Sequence, residues 1–250
     1  NNASDMLGVS ADGAFSFSTA LNVGADYAVS VRFHPNGQTC SIANGNGTLS
    51  EANVIDIAVS CISNPVARFA YVVNASDNTV SMYTLNASTG QLRHNGYVEA
   101  GSAPSAITVD PTGKFAYVAN SGSANVSAYT INATTGALTA IDADAMTTGV
   151  QHFAAGNGPS SVSIEPSGKY AYVTNSIDGA GGNSLSAYRI DTDTGALIDI
   201  GTVATGANPR GVSIDPSGRF AYVANYLSND VSAYRIDTST GALASLGPTQ

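Results

Sequence analysis

A chain of 250 residues with 43% hydrophobic side chains holds enough apolar material for one large β domain or two smaller ones, and two is the expected number. Charged residues make up only 11%, and 18 Asp plus Glu against nine Lys plus Arg leave a formal net charge of -9. Such a field repels phosphate backbones and anionic head groups, so nucleic acid is not an expected partner. No apolar run approaches the roughly 18 residues of a helical membrane span, so none is expected.

The expected fold is all-β: a small disulfide-stapled β-sandwich over residues 1–62, then four β-propeller blades over residues 63–250. In the first part, short strands are expected around Ala14–Ser18, Tyr27–Phe33, Thr39–Ala43 and Val54–Cys61, with Asn36-Gly37 joining two of them as a hairpin turn. The only cysteines, Cys40 and Cys61, fall in two of these strands. A disulfide between them is the expected reading, with two buried thiols in a reducing compartment as the alternative. Closing a loop of about 20 residues would contribute on the order of 3 kcal/mol to a sheet this small. The chain begins without a basic and apolar leader, so a signal peptide is expected to have been removed or left out. Export to the cell surface or beyond is expected from the cysteines and the polar, charge-poor composition.

From residue 68 onward one phrase occurs four times: Arg68-Phe-Ala-Tyr-Val-Val-Asn74, Lys114-Phe-Ala-Tyr-Val-Ala-Asn120, Lys169-Tyr-Ala-Tyr-Val-Thr-Asn175 and Arg219-Phe-Ala-Tyr-Val-Ala-Asn225. Asp-Pro-Thr-Gly at 110–113, Glu-Pro-Ser-Gly at 165–168 and Asp-Pro-Ser-Gly at 215–218 precede three of the copies, with Pro presetting one turn dihedral and Gly supplying a positive one. After each phrase come a polar loop, a second strand ending in Leu85, Ile131, Ile190 or Ile236, and a turn closing on Thr-Gly at 89–90, 135–136, 194–195 or 240–241. A further strand then opens at Leu92, Leu138, Leu197 or Leu243, and Gly-x-x-Pro opens the next unit at 101–104, 156–159 and 206–209. Units of 40 to 50 residues with four short strands are what a propeller blade requires. The alanine within each phrase suits sheets covered on both faces.

These phrases resemble the YVTN-type propeller repeats of bacterial and archaeal surface proteins and of phosphogluconolactonase-like proteins, and Tyr172-Val-Thr-Asn175 is the naming tetrapeptide itself. The first 62 residues are similar to Ig-like modules that precede propellers in secreted bacterial proteins. The first resemblance implies a propeller; because the repeat is architectural, it does not assign an activity.

Reactive groups do not converge in the sequence. His34, His94 and His152 occupy non-equivalent positions, and no nucleophile elbow, zinc-protease helix, phosphate loop or haem motif occurs. Asp142 with Asp144 and Asp191 with Asp193 could attract Ca²⁺, but sister turns at Asn132 and Asp237 make self-capped hairpins the simpler reading. No cofactor or metal is expected. A binding face is expected where the Gly-x-x-Pro segments and the loops after each phrase open together, with Asn120, Asn125, Asn175, Asp178, Arg210, Asn225 and Tyr226 as its candidate residues. Arg210 stands where sister units carry Ser105 and Ser160. The expected function is a non-enzymatic surface or extracellular structural protein. Its expected partners are other copies of itself, joined through exposed strand edges into an oligomer or fibre, and surface glycans or other surface proteins. The alternatives are a carbohydrate- or small-ligand-binding propeller and a lactonase-like hydrolase.

Overall fold

The computed structural model describes residues 5–8, 15–32, 38–51, 53–63, 68–141, 152–177 and 183–249. The chain divides into two compact units, residues 1–66 and 67–250. Among the described residues every regular element is a β-strand, and no helix is long and apolar enough to cross a membrane.

In the first unit β1 (Asp26–Ala28) pairs antiparallel with β3 (Asn46–Thr48), and β2 (Gln38–Ala43) pairs with β4 (Ala58–Ser63). β1 and β2 are therefore not partners of each other, and the hairpin turn expected at Asn36-Gly37 lies outside the described residues. Partner choice follows the longer-range link: Cys40 and Cys61 sit directly opposite in the β2–β4 ladder and form the expected disulfide. Phe15–Phe17 carry no strand, and Ala14 is outside the described residues.

The second unit is a run of four blades. The first has β5 (Phe69–Asn74), β6 (Thr79–Leu85) and β7 (Leu92–Glu99), in that order. The second has β8 (Pro104–Val109), β9 (Phe115–Asn120), β10 (Asn125–Ile131), β11 (Leu138–Ala140) and β12 (His152–Ala154). The third has β13 (Pro159–Ile164), β14 (Tyr170–Asn175), β15 (Ser184–Ile190) and β16 (Leu197–Ala204). The fourth has β17 (Pro209–Ile214), β18 (Phe220–Asn225), β19 (Asp230–Ile236) and β20 (Leu243–Thr249). Each sheet is antiparallel, and the four repeated phrases are the equivalent strands β5, β9, β14 and β18.

The core lies between blades. Side chains alternate across a strand, so Phe115, Tyr117 and Ala119 face Ala171, Val173 and Tyr188 of the third blade, while Ala116 and Val118 face Val80 and Met82 of the first. All six residues of β9 and of β14 are consequently buried. The motif tyrosines also join blades in sequence. Tyr71, Tyr117 and Tyr172 each donate a hydroxyl hydrogen bond to the Thr-Gly turn of the following blade, at the carbonyls of Gly136 (2.9 Å), Gly195 (2.9 Å) and Gly241 (3.0 Å). Those glycines have φ of 73°, 78° and 75°, and a Cβ on them would fall 2.2 to 2.4 Å from Phe69, Phe115 or Tyr170. Only glycine satisfies both demands. Burial pushes the hydroxyl pKa of Tyr117 and Tyr172 upward, so these donors keep their protons.

Candidate functional site

One face of the propeller is formed by the entry segments before β8, β13 and β17 together with the hairpins between the second and third strands of each blade. The asparagine ending each repeated phrase holds that hairpin from inside. Asn120 Nδ2 donates to Asn125 Oδ1 (2.8 Å) and Ser127 Oγ (2.9 Å), Asn175 Nδ2 to Ser184 (3.0 Å) and Ser186 (2.9 Å), and Asn225 Nδ2 to Asp230 (2.7 Å) and Ser232 (2.8 Å). Asn120, Asn175 and Asn225 are buried, which corrects their expected place on the binding surface: they brace the loops, and Asn125 is one of their acceptors.

The hairpins clasp the entry segments through the backbone. In the second blade the amides of Ser121 and Gly122 donate to the carbonyls of Ala103 and Ser102. Ser176 and Ile177 do the same to Gly158 and Asn157, and Tyr226 and Leu227 to Asn208 and Ala207. Adjacent blades are joined beneath this layer by Ser105 Oγ donating to the Pro159 carbonyl (2.7 Å) and Ser160 Oγ to the Pro209 carbonyl (2.8 Å).

Arg210 occupies the position of those two serines. It is exposed, its guanidinium lies 5.6 Å from the centre of the Tyr226 ring, and Tyr226 is 65% exposed. The structure thus brings Arg210 and Tyr226 together; Asp178 lies outside the described residues. Arg210 is the only cation among the described residues of the entry segments, innermost strands and hairpins of this face, and none of these residues forms an ion pair with it. A guanidinium held over an aromatic ring keeps all its N–H donors for a ligand. Such a group can bind a carboxylate or stabilise an oxyanion. Ile177 and Leu227 were not singled out from the sequence. Aligning the hairpins would have found them, because Ser121-Gly122, Ser176-Ile177 and Tyr226-Leu227 are equivalent.

The other candidates are structural. His94 of β7 meets Tyr83 of β6 edge-on (5.5 Å between ring centres) and Tyr97 of its own strand at a tilt (4.4 Å), and His152 Nδ1 lies 2.9 Å from Ser127 Oγ, with burial lowering its pKa. His34, Asp142 and Asp144 lie outside the described residues. Asp191 Oδ1 accepts the amides of Asp193 and Thr194 (3.0 Å each), a self-capped turn, and its carboxyl pKa is lowered by those bonds. Among the described residues no three His, Cys, Asp or Glu side chains gather as metal ligands.

A family model described as "Lactonase, 7-bladed beta-propeller" matches residues 38–151 and 143–249. No curated protein matches the sequence significantly. Among solved structures, a Bacteroides uniformis protein assigned as a 6-phosphogluconolactonase aligns with TM-score 0.64 at 23% identity, over 74% of this chain and 52% of that one. The Pseudomonas aeruginosa periplasmic gluconolactonase aligns with TM-score 0.62 at 23% identity, over 75% and 52%. A Lactobacillus plantarum protein aligns with TM-score 0.57 at 25% identity, over 77% and 51%. The chain spans about half the length of these structures, and likeness at this identity bears on the fold. The family match overturns the expectation of a non-enzymatic structural protein assembling through strand edges, because the repeated phrase is architectural in a family of enzymes too and so does not argue against catalysis. With the model matching almost everything from residue 38 onward, the chain belongs to the seven-bladed β-propeller lactonase family.

Proposed function

We propose that the chain is a lactone hydrolase, or the portion of one that carries its substrate-facing loops; the family match over residues 38–249 carries this reading. In the reaction, the oxygen of a water molecule bonds to the acyl carbon and the ring C–O bond breaks. The water's proton goes to the departing ring oxygen, leaving a hydroxy acid. Negative charge develops on the carbonyl oxygen as water adds, and a preorganised cation there lowers the barrier. Arg210 is the group this face offers for that charge, with the Tyr226 ring fixing its orientation. The Cys40–Cys61 disulfide supports an exported protein. The tetrapeptide at 172–175 supports naming the blades YVTN-type repeats, and the stapled first unit an Ig-like module.

The test is hydrolysis of glucono-δ-lactone, followed by acid release, for the wild type and Arg210→Ser. Serine is the residue that sister blades carry at this position, so the fold accommodates it. Loss of about 100-fold in kcat/KM is expected. An unchanged rate in the variant would remove Arg210 from the site, and a wild type no faster than buffer on any lactone would remove the activity.

A further inference from the structure

Comparing blades within this one chain separates residues that build the fold from residues that do not. The first two hairpin residues of the second, third and fourth blades donate their amides to equivalent entry-segment carbonyls, so the backbone asks the same of each pair. Yet the pairs are Ser121-Gly122, Ser176-Ile177 and Tyr226-Leu227. Ile177, Tyr226 and Leu227 are 53%, 65% and 56% exposed, so they add little to any core. Large apolar side chains among otherwise Ser, Gly, Asn and Ala loops, placed where the geometry does not require them, mark a recognition surface. They occur only in the fourth blade, which carries Arg210, and in the third, which is bonded to the two residues before it. The third blade is tied there by the Ser160 bond to the Pro209 carbonyl and by the Asn208 amide donating to Asn183 Oδ1 (2.7 Å).

We propose that Ile177, Tyr226 and Leu227 select lactones with an apolar flank, aryl or alkyl, whose carbonyl oxygen Arg210 receives. This rests on reading the face as the lactone site. Charge and polarity both point to that class. In a chain of net charge -9, Arg210 is the one cation among the described residues of this face, suited to an oxyanion or product carboxylate. The isoleucine and leucine exposed on the hairpins of the same face offer no hydrogen bond to sugar hydroxyls, which would lose water contacts on entering.

Two monocarboxylates of equal charge, 3-phenylpropionate and gluconate, test this by ¹H–¹⁵N NMR titration of the whole chain. The expected result is about tenfold tighter binding of 3-phenylpropionate, with the amides of Ile177, Tyr226 and Leu227 shifting. The double variant Tyr226→Ser/Leu227→Gly installs the second blade's own hairpin pair and is expected to reduce the preference to about twofold or less. Equal or tighter gluconate binding, a preference that survives the double variant, or no shift at these amides with either acid would overturn the proposal. Dihydrocoumarin and glucono-δ-lactone hydrolysis are read in parallel. If the acid preference holds and neither lactone opens faster than in buffer, recognition stands and the hydrolase reading falls. If glucono-δ-lactone is the better substrate, the selectivity proposal falls and the hydrolase reading stands.

Discussion

Each of the four hairpins on the face that carries Arg210 ends on a residue in the left-handed region. Three of the four are asparagine: Asn78 (φ 56°), Asn183 (φ 50°) and Asn229 (φ 56°), against Ala124 (φ 52°) in the second blade. Asparagine tolerates this conformation and alanine does not, at a cost of about 1 to 2 kcal/mol per residue. Two of the asparagines also link blades, Asn78 Oδ1 accepting the Ala103 amide (2.8 Å) and Asn183 Oδ1 the Asn208 amide (2.7 Å). Ala124 has no side-chain oxygen to offer Gly158, the equivalent residue of the third blade. Ala124→Asn should therefore stabilise the protein by about 1 kcal/mol, through relief of the backbone and the new acceptor. The urea midpoint should rise with its slope unchanged; a lower midpoint would show that the third blade's entry segment is out of the side chain's reach. None of this is legible before the blades are placed. The sequence displays the aligned Asn, Ala, Asn and Asn, but not their sign of φ or their neighbours.

At the level of elements, the outer strands share a device that the second blade modifies. The registers of β6–β7, β15–β16 and β19–β20 each shift at one place, where Gly96, Gly201 and Gly247 have φ of 108°, 126° and 91°. These are glycine bulges, which bend a strand while keeping its pairing. In the second blade the strand is divided instead: β11 pairs with the Tyr129–Ile131 end of β10 and β12 with the Asn125–Ser127 end, and residues 141–151 intervene in sequence. The split was not legible because β12 is three residues long and has no period to detect. It also sets His152 opposite Ser127, where the third blade has Thr202 opposite Ser186. Ser127 Oγ already accepts from Asn120 Nδ2 and from the Gly101 amide, so it donates its own proton to a neutral His152 Nδ1. Burial lowers the imidazole pKa below its ordinary value of about 6.5. Above that ordinary value folded and unfolded chains both carry a neutral ring, and the contribution is complete. As pH falls toward the lowered value the unfolded chain takes up a proton that the folded chain resists, and stability is lost. The stability difference between wild type and His152→Thr should accordingly be greatest near pH 7.5 and shrink toward pH 5, measured by denaturant midpoints. A difference independent of pH would refute the hydrogen-bond assignment.

Across the whole molecule, the parts legible in sequence are those whose cause is local. The Asp-Pro-x-Gly turns are an example: Asp110 Oδ1 accepts the amides of Lys114 (2.8 Å) and Phe115 (2.7 Å), and Asp215 repeats this at Arg219 and Phe220 (2.8 Å each), its carboxyl held down at about 2 by the Ser217 hydroxyl and these amides. The proposed site was not legible, because Arg210 and Tyr226 stand on separate elements of the blade and leave no contiguous motif. The first unit shows the same limit, since the pairing of β2 with β4 joins segments about 20 residues apart that no local signal connects. That ladder falls between two divisions of the chain. By compactness the first unit ends at residue 66, yet the lactonase family match begins at residue 38, inside it. Reduction of Cys40–Cys61 distinguishes the two divisions. A disulfide closing a loop of this length contributes about 3 kcal/mol by restricting the unfolded chain. If residues 1–66 fold as their own unit, reduction should lower amide-exchange protection in Gln38–Ser63 by about 100-fold and leave β9 and β14, buried on both faces, at their native protection. If protection falls in β9 and β14 as well, the ladder belongs to the propeller's cooperative unit. The family boundary at residue 38, rather than the compactness boundary at 66, would then mark where the family's fold begins.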